Sequence, residues 1–149
     1  MNDKKNILLV CSPYYKDITD NLIKGASDFL KSKSVDYSIL NVPGALEIGP
    51  AIKLISDKSE IKPIFDGYLA LGCVIRGETY HFEIVANESS RALTDLSVNY
   101  SIPIGNGILT VSNKNQAFRR SDPTQLNKGA GAAKACLSLI NIKNSIDYE

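Results

Sequence analysis

Apolar residues along this chain form short continuous runs that alternate with stretches of helical spacing. Four runs rich in Val, Ile and Leu predict strands at residues 7–11, 35–42, 68–74 and 103–111, the first of them buried on both faces. Between and after these runs, apolar residues recur every three or four positions, which predicts helices. The predicted helices cover residues 17–30, 46–56, 79–99, 113–120 and 129–142.

A strand followed by a helix, four times over, indicates a parallel sheet with helices on both faces. We therefore expect an α/β class protein that folds as a three-layer sandwich around a four-stranded parallel sheet. Two details of the pattern carry further expectations. Pro50 falls in the first turn of the second helix, where proline is tolerated, and Gly105 and Gly107 are expected to weaken the last strand locally.

Composition narrows the class of protein. The chain has 149 residues, the length of one ordinary domain, and 44% are hydrophobic. A net charge of +1 argues against nucleic acid as a partner, because binding to a phosphate backbone needs clustered Lys and Arg. The three cysteines are widely spaced, which predicts reduced thiols and a cytoplasmic location. The apolar runs are too short for a membrane segment or a signal peptide.

The loops that follow the predicted strands contain most of the candidate chemistry. Open α/β sheets bind ligands outside the carboxyl ends of their strands. Four segments should meet there, namely residues 12–15, 43–47, 75–81 and 113–120. The third segment holds His81, the only histidine of the chain. Histidine suits proton transfer near neutrality because its ordinary pKa is about 6.5.

Other residues of these segments suit binding. The backbone amides of Gly77 to Thr79 are expected to open the third helix, where a phosphate would be favoured, and Arg120 could oppose it. Tyr14 could stack on a planar ring, and Glu47 could accept hydrogen bonds from a polyol or amine. Each residue alone also fits an ordinary structural role. The common nucleotide motifs G-x-G-x-x-G and G-x-x-x-x-G-K-[ST] are absent.

Four motifs together resemble a known family. They are PGALE at 43–47, GCVIRGETYHF at 72–82, GILT at 107–110 and NKG at 127–129. In this order they are similar to those of 6,7-dimethyl-8-ribityllumazine synthase, and the resemblance extends from about residue 7 to residue 142. It implies a flavodoxin-like fold, a single domain over residues 1–149, and the penultimate reaction of riboflavin synthesis.

The implied reaction joins two small molecules without a metal or organic cofactor. It condenses 5-amino-6-(D-ribitylamino)uracil with 3,4-dihydroxy-2-butanone 4-phosphate and releases phosphate and water. The resemblance also implies a homo-oligomer built from pentamers, with active sites between neighbouring subunits. The run 121–126 lacks the glycines of many shell-forming members, so we expect a pentamer or decamer rather than an icosahedral shell.

The resemblance assigns roles to individual residues of this chain. His81 matches the general acid and base. The pyrimidine and ribityl contacts match Tyr14, Ala45, Leu46, Glu47, Val74, Ile75 and Asn106. The phosphate site matches Gly77, Glu78, Thr79 and Arg120, and Lys128 matches a lysine near the site.

Three positions depart from the pattern of many family members. Tyr14 stands where phenylalanine is frequent, and it can still stack. Asn106 replaces another phenylalanine, which makes that wall of the site more polar. Glu78 replaces a small residue, so we expect its side chain to point away from the phosphate.

Two other functions fit the same sandwich. A non-catalytic flavin or lumazine carrier would need the aromatic residue and Glu47 but no histidine or phosphate pair. A structural shell protein would depend only on its subunit interfaces. Formation of lumazine from both substrates separates the enzyme from these two.

Overall fold

Strands and helices alternate along the chain, as the apolar pattern predicts. The computed structural model describes residues 4–58 and 61–145. The strands are β1 (Asn6–Cys11), β2 (Asp36–Asn41), β3 (Gly67–Ile75) and β4 (Ile104–Val111). The helices are α1 (Lys16–Ser32), α2 (Ile48–Ser56), α3 (His81–Tyr100), α4 (Lys114–Ser121) and α5 (Lys128–Ser145).

The sheet confirms the predicted α/β class. Its four strands are all parallel and lie in the order β2-β1-β3-β4. The chain moves outward from β1 to β2 and then returns to the other side of β1 to form β3. The strand order therefore reverses between β1 and β3, and such a reversal opens a crevice at the carboxyl ends of the two strands.

Each face of the sheet has its own apolar core because successive side chains of a strand point to opposite faces. Ile7, Leu9 and Cys11 of β1 pack with α1, α4 and α5. Leu8 and Val10 pack with α2 and α3 on the other face. All five residues are nearly inaccessible to solvent, which explains the continuous apolar run that predicted β1.

Two helices were predicted to start two residues too early. The helix expected from residue 46 starts as one turn of 3-10 helix at Ala45–Glu47, and α2 follows it. The third helix begins at His81 instead of Thr79, so Gly77 to Thr79 precede the helix and do not open it. Tyr80 is its N-cap, and the Thr79 hydroxyl accepts a 3.4 Å hydrogen bond from the His81 amide.

The expected weakening of β4 is also wrong, because the strand runs unbroken through Gly105 and Gly107. A Cβ at Gly105 would overlap the carbonyl oxygen of Ala132 in α5. A Cβ at Gly107 would lie 2.7 Å from Leu71 and 3.1 Å from the Ala132 Cβ. The glycines of β4 and the alanine-rich α5 therefore let the helix lie against the sheet.

Among the residues that the structure describes, no helix has the length and apolar character needed to cross a membrane.

Candidate active site

A cavity opens at the carboxyl ends of the strands, where the strand order reverses. Its volume is about 210 Å³. We call it the His81 cavity, and it is lined by Ser12, Tyr14, Tyr15, Gly44, Ala45, Cys73, Val74, Ile75, Gly77, Thr79, His81, Phe82 and Val85. The segments that follow β1, β2 and β3 therefore meet there, as the sequence predicts, but the fourth predicted segment, 113–120, does not line this cavity.

Two tyrosines form the aromatic side of the His81 cavity. The rings of Tyr14 and Tyr15 meet edge to face, with their centroids 4.9 Å apart. Tyr15 packs against the buried core, and burial raises the pKa of its phenol above the ordinary value. Tyr14 is 77% exposed, so its ring is open to a ligand. This pair combines a fixed ring with an accessible one, and the accessible ring can stack on a planar molecule.

The loop between β3 and α3 forms the polar side of the cavity. Gly77 and Thr79 line it before the helix begins, and His81 is the first residue of α3. A Cβ placed on Gly77 would meet no atom within 4 Å, so the space around this residue is open. Thr79, Tyr80 and His81 are all exposed. The positive end of the α3 dipole faces this loop, which favours an anion there.

Arg120 lies in a different cavity. We call it the Arg120 cavity; its volume is about 460 Å³, and Asn106 and Lys128 also line it. The guanidinium of Arg120 donates a 3.2 Å hydrogen bond to the Gln116 carbonyl, one turn back in α4. One chain therefore does not bring Arg120 into the cavity that holds Gly77 and Thr79. Their pairing at one phosphate site stays a prediction.

The remaining predicted residues lie beside the His81 cavity without lining it. Leu46 and Glu47 are exposed on the 3-10 turn, next to buried Ala45, which does line the cavity. Glu78 is exposed between Gly77 and Thr79 and is not part of the cavity wall. The expected outward orientation of the Glu78 side chain stays a prediction.

Asn106 lies on β4 with its amide group held by two contacts. Its side-chain oxygen accepts a 2.9 Å hydrogen bond from the Ile108 amide. Its side-chain nitrogen lies 3.4 Å from the Ser90 hydroxyl in α3. The residue is exposed, so its amide reaches the surface at the Arg120 cavity.

Six residues of the His81 cavity were given no individual role from the sequence, although Ser12, Tyr15 and Gly44 fall within the segments expected to meet there. Ser12, Tyr15, Gly44, Cys73, Phe82 and Val85 all contribute to its wall. The signal for Cys73 was its place at the end of β3, and the signal for Phe82 was its place beside His81. Burial raises the pKa of the Cys73 thiol to about 11, so this thiol stays protonated at neutral pH and is a poor nucleophile.

A larger cavity, of about 500 Å³, lies at the opposite end of the sheet between Phe65, Tyr68 and Pro103. Its Lys53 is paired with Asp57 and lies over the ring of Tyr100, and its Lys143 donates to the Ser101 carbonyl. Functional sites of parallel sheets lie at the carboxyl ends of the strands, so the smaller His81 cavity is the better candidate.

The described residues contain no cluster of three or more His, Cys, Asp or Glu side chains that could hold a metal ion.

Comparisons with known proteins point to one family. A family model described as 6,7-dimethyl-8-ribityllumazine synthase matches residues 4–144. A relative of that name from Bartonella tribocorum is 50% identical over 143 residues, which are 96% of this chain and 93% of the relative. Another of that name, from Agrobacterium fabrum, is 48% identical over 144 residues, 96% of this chain and 97% of the relative.

Proposed function

This chain belongs to the 6,7-dimethyl-8-ribityllumazine synthase family, and we infer from that premise that it is an enzyme of riboflavin biosynthesis. It condenses 5-amino-6-(D-ribitylamino)uracil with 3,4-dihydroxy-2-butanone 4-phosphate to form 6,7-dimethyl-8-ribityllumazine. One observation carries the inference beyond the family match. The only histidine of the chain lines the same cavity as an exposed aromatic ring and an open loop that can take an anion.

The pyrimidine is bound by the side of the His81 cavity that follows β1 and β2. Tyr14 stacks on its ring, and Ala45, Val74 and Ile75 enclose it. Leu46 and Glu47 reach the ribityl chain from the adjacent 3-10 turn, where the exposed Glu47 carboxylate can accept hydrogen bonds from hydroxyl groups. The open face of Tyr14 supports this assignment.

The phosphate of the second substrate is bound by the loop between β3 and α3. The backbone amides of Gly77, Glu78 and Thr79 lie just before the positive end of α3, and Gly77 leaves room for a close approach. Arg120 of a neighbouring copy supplies the opposing positive charge, and Lys128 adds a second one. Both cations line one cavity, which supports their joint role.

The reaction needs protons to move at each step. The amine of the pyrimidine attacks the ketone, the resulting carbinolamine loses water, phosphate is eliminated, and the second amine closes the ring. His81 takes the proton from the attacking nitrogen and returns it to the leaving hydroxyl group. Imidazole can do both near neutrality. Holding two substrates side by side supplies a further part of the rate, up to about 7–11 kcal/mol.

The proposed site is complete only with two chains, and the separation of the His81 cavity from the Arg120 cavity within one chain supports this. We propose a cyclic homo-oligomer in which the Arg120 cavity of each subunit faces the His81 cavity of the next. Such head-to-tail contacts form a ring when the rotation between neighbouring subunits closes on itself. A pentamer or a decamer of two pentamers, located in the cytoplasm, is the assembly that we favour.

The direct test is to mix purified protein with both substrates and follow lumazine fluorescence. We expect lumazine to form much faster than in the spontaneous reaction, and we expect His81→Ala to lower kcat about a hundredfold with little change in pyrimidine binding. Lumazine formation at only the spontaneous rate would contradict the proposed enzymatic activity. An unchanged kcat in His81→Ala would reject the role of the histidine.

A further inference from the structure

The guanidinium of Arg76 makes two contacts that span the loop between β3 and α3. Its guanidinium pairs with Glu83 in the first turn of α3, at 2.7 Å from Nη1 to Oε1. The same guanidinium lies over the ring of Phe82, with 4.5 Å between its central carbon and the ring centroid. Its backbone amide donates a 2.9 Å hydrogen bond to the Val111 carbonyl at the end of β4. Arg76 therefore links the sheet directly to the start of α3.

His81 lies inside the segment that Arg76 encloses. Phe82 and Glu83 are the two residues that directly follow it, and Gly77 to Tyr80 precede it. Those preceding residues are exposed, and Gly77 has open space around it. The hydrogen bond from the His81 amide to Thr79 is long, at 3.4 Å. The local loop alone thus fixes His81 weakly.

We propose that Arg76 is a positioning residue that acts through His81. Its ion pair with Glu83 and its stacking on Phe82 hold the first turn of α3 against the end of β3, so that the imidazole keeps its place in the His81 cavity. The planar guanidinium can make both contacts at once, because one edge donates to the carboxylate while the face lies on the ring. This inference rests on the proposed function of the same site.

The only histidine offers a direct probe of the proposal. Protein labelled with carbon-13 at histidine Cε1 gives a single imidazole signal, because His81 is the one histidine in the sequence. Arg76→Ala and Glu83→Gln are expected to shift or broaden this signal.

Arg91→Ala is the matched control. Arg91 also pairs with carboxylates of α3, Glu88 and Asp95, but these lie further along the helix. We expect it to leave the signal unchanged. An unchanged signal in both Arg76→Ala and Glu83→Gln, or an equal change in Arg91→Ala, would overturn the proposal.

Kinetics separates positioning from a direct role in binding substrate. We expect Arg76→Ala and Glu83→Gln each to lower kcat about tenfold, while the KM of each substrate changes less than about twofold, because a small misplacement of the proton donor slows the reaction. Arg76→Lys keeps the charge but loses the planar stacking, so its kcat should lie between those of Arg76→Ala and the unmodified protein.

The decisive measurement uses protein that already carries His81→Ala. Adding Arg76→Ala there should change the remaining enzymatic rate less than about twofold, because the residue through which it acts is gone. A further tenfold loss would show that Arg76 acts independently of His81 and would overturn the proposal. If the unmodified protein forms no lumazine above the spontaneous rate, the proposed function fails, while the imidazole signal still tests the contact.

Discussion

At the scale of single residues, the position of an arginine decides whether it can bind the phosphate of a substrate. Arg120 lines its cavity together with Lys128, whereas its neighbour Arg119 is exposed and is not part of that wall. Two adjacent arginines on one short helix thus differ in location but not in chemistry. They form a matched pair for testing the phosphate assignment.

We expect Arg120→Ala to raise the KM for the phosphorylated ketone roughly tenfold to hundredfold, because a hydrogen bond to a charged group contributes about 1.5–3 kcal/mol. The KM for the pyrimidine should change much less. Arg119→Ala serves as the control and should leave both values near those of the unmodified protein. An unchanged KM for the ketone phosphate in Arg120→Ala would contradict the phosphate assignment.

The buried thiols make stability depend on alkaline pH. Burial raises the pKa of Cys11 and Cys136 to about 12 from an ordinary value of 9.0. An unfolded thiol ionises above about pH 9, while the folded thiol stays protonated to about pH 12. The contribution of these protonated thiols to the free energy of unfolding is therefore complete below about pH 9, and it is lost as the pH rises from about 9 to about 12.

We expect the free energy of unfolding, measured with urea between pH 8 and pH 11, to fall as pH rises. In Cys136→Ala the fall should be shallower, because one of the raised pKa values is removed. Equal slopes in the two proteins would contradict the role given to this thiol. The comparison of slopes also separates the thiol from buried Tyr68, whose pKa is raised as well.

At the scale of elements, the contact between β4 and α5 depends on residues without bulk. Gly105 and Ala132 meet so closely that a methyl group on the strand would overlap the helix carbonyl. The β4 strand also carries Asn106, which we propose as a substrate contact. The small residues therefore let α5 pack closely on the strand that carries Asn106.

Gly105→Ala is expected to lower the free energy of unfolding by about 1–3 kcal/mol, because an added carbon in a tightly packed contact forces the backbone apart. Gly131→Ala, in α5, is the control. A Cβ at Gly131 meets nothing within 4 Å, and alanine favours a helix over glycine by roughly 0.5–1 kcal/mol. Urea unfolding of both variants tests this, and an undiminished stability in Gly105→Ala would contradict it.

At the scale of the whole molecule, the two separate cavities predict that activity can be shared between defective chains. His81→Ala and Arg120→Ala damage different cavities. When the two variants assemble together at random, about one interface in four combines an intact His81 with an intact Arg120. The mixture should therefore show about a quarter of the normal activity.

The control for that experiment is a mixture of His81→Ala and Tyr14→Ala. Both residues line the His81 cavity, so no interface in this mixture is complete and activity should not exceed the mean of the two parents. No recovery in the first mixture would contradict a site shared between subunits. Light scattering on the unmodified protein should give a mass of about five or ten times the 16.2 kDa chain.

The apolar pattern by itself determined the order of strands and helices, the parallel sheet and the place of His81 just after β3. These features depend on the spacing of apolar side chains along the chain and on where the apolar runs end. Both can be read from neighbouring residues. The same reasoning missed the start of α3 by two residues, because a serine or threonine that caps a helix and one that only precedes it look alike in sequence.

Only the tertiary structure decided that the fourth predicted segment, which carries Arg120, lies outside the cavity that the other three segments form. The strand order β2-β1-β3-β4 brings Tyr14, Ala45 and His81 to one cavity, whereas Arg120 of α4 lines a separate cavity. The contact of Arg76 with Glu83 was likewise invisible, because it depends on how the loop turns between β3 and α3. Contacts of this kind depend on how the helices and loops pack on the sheet, and the local spacing of apolar residues does not encode them.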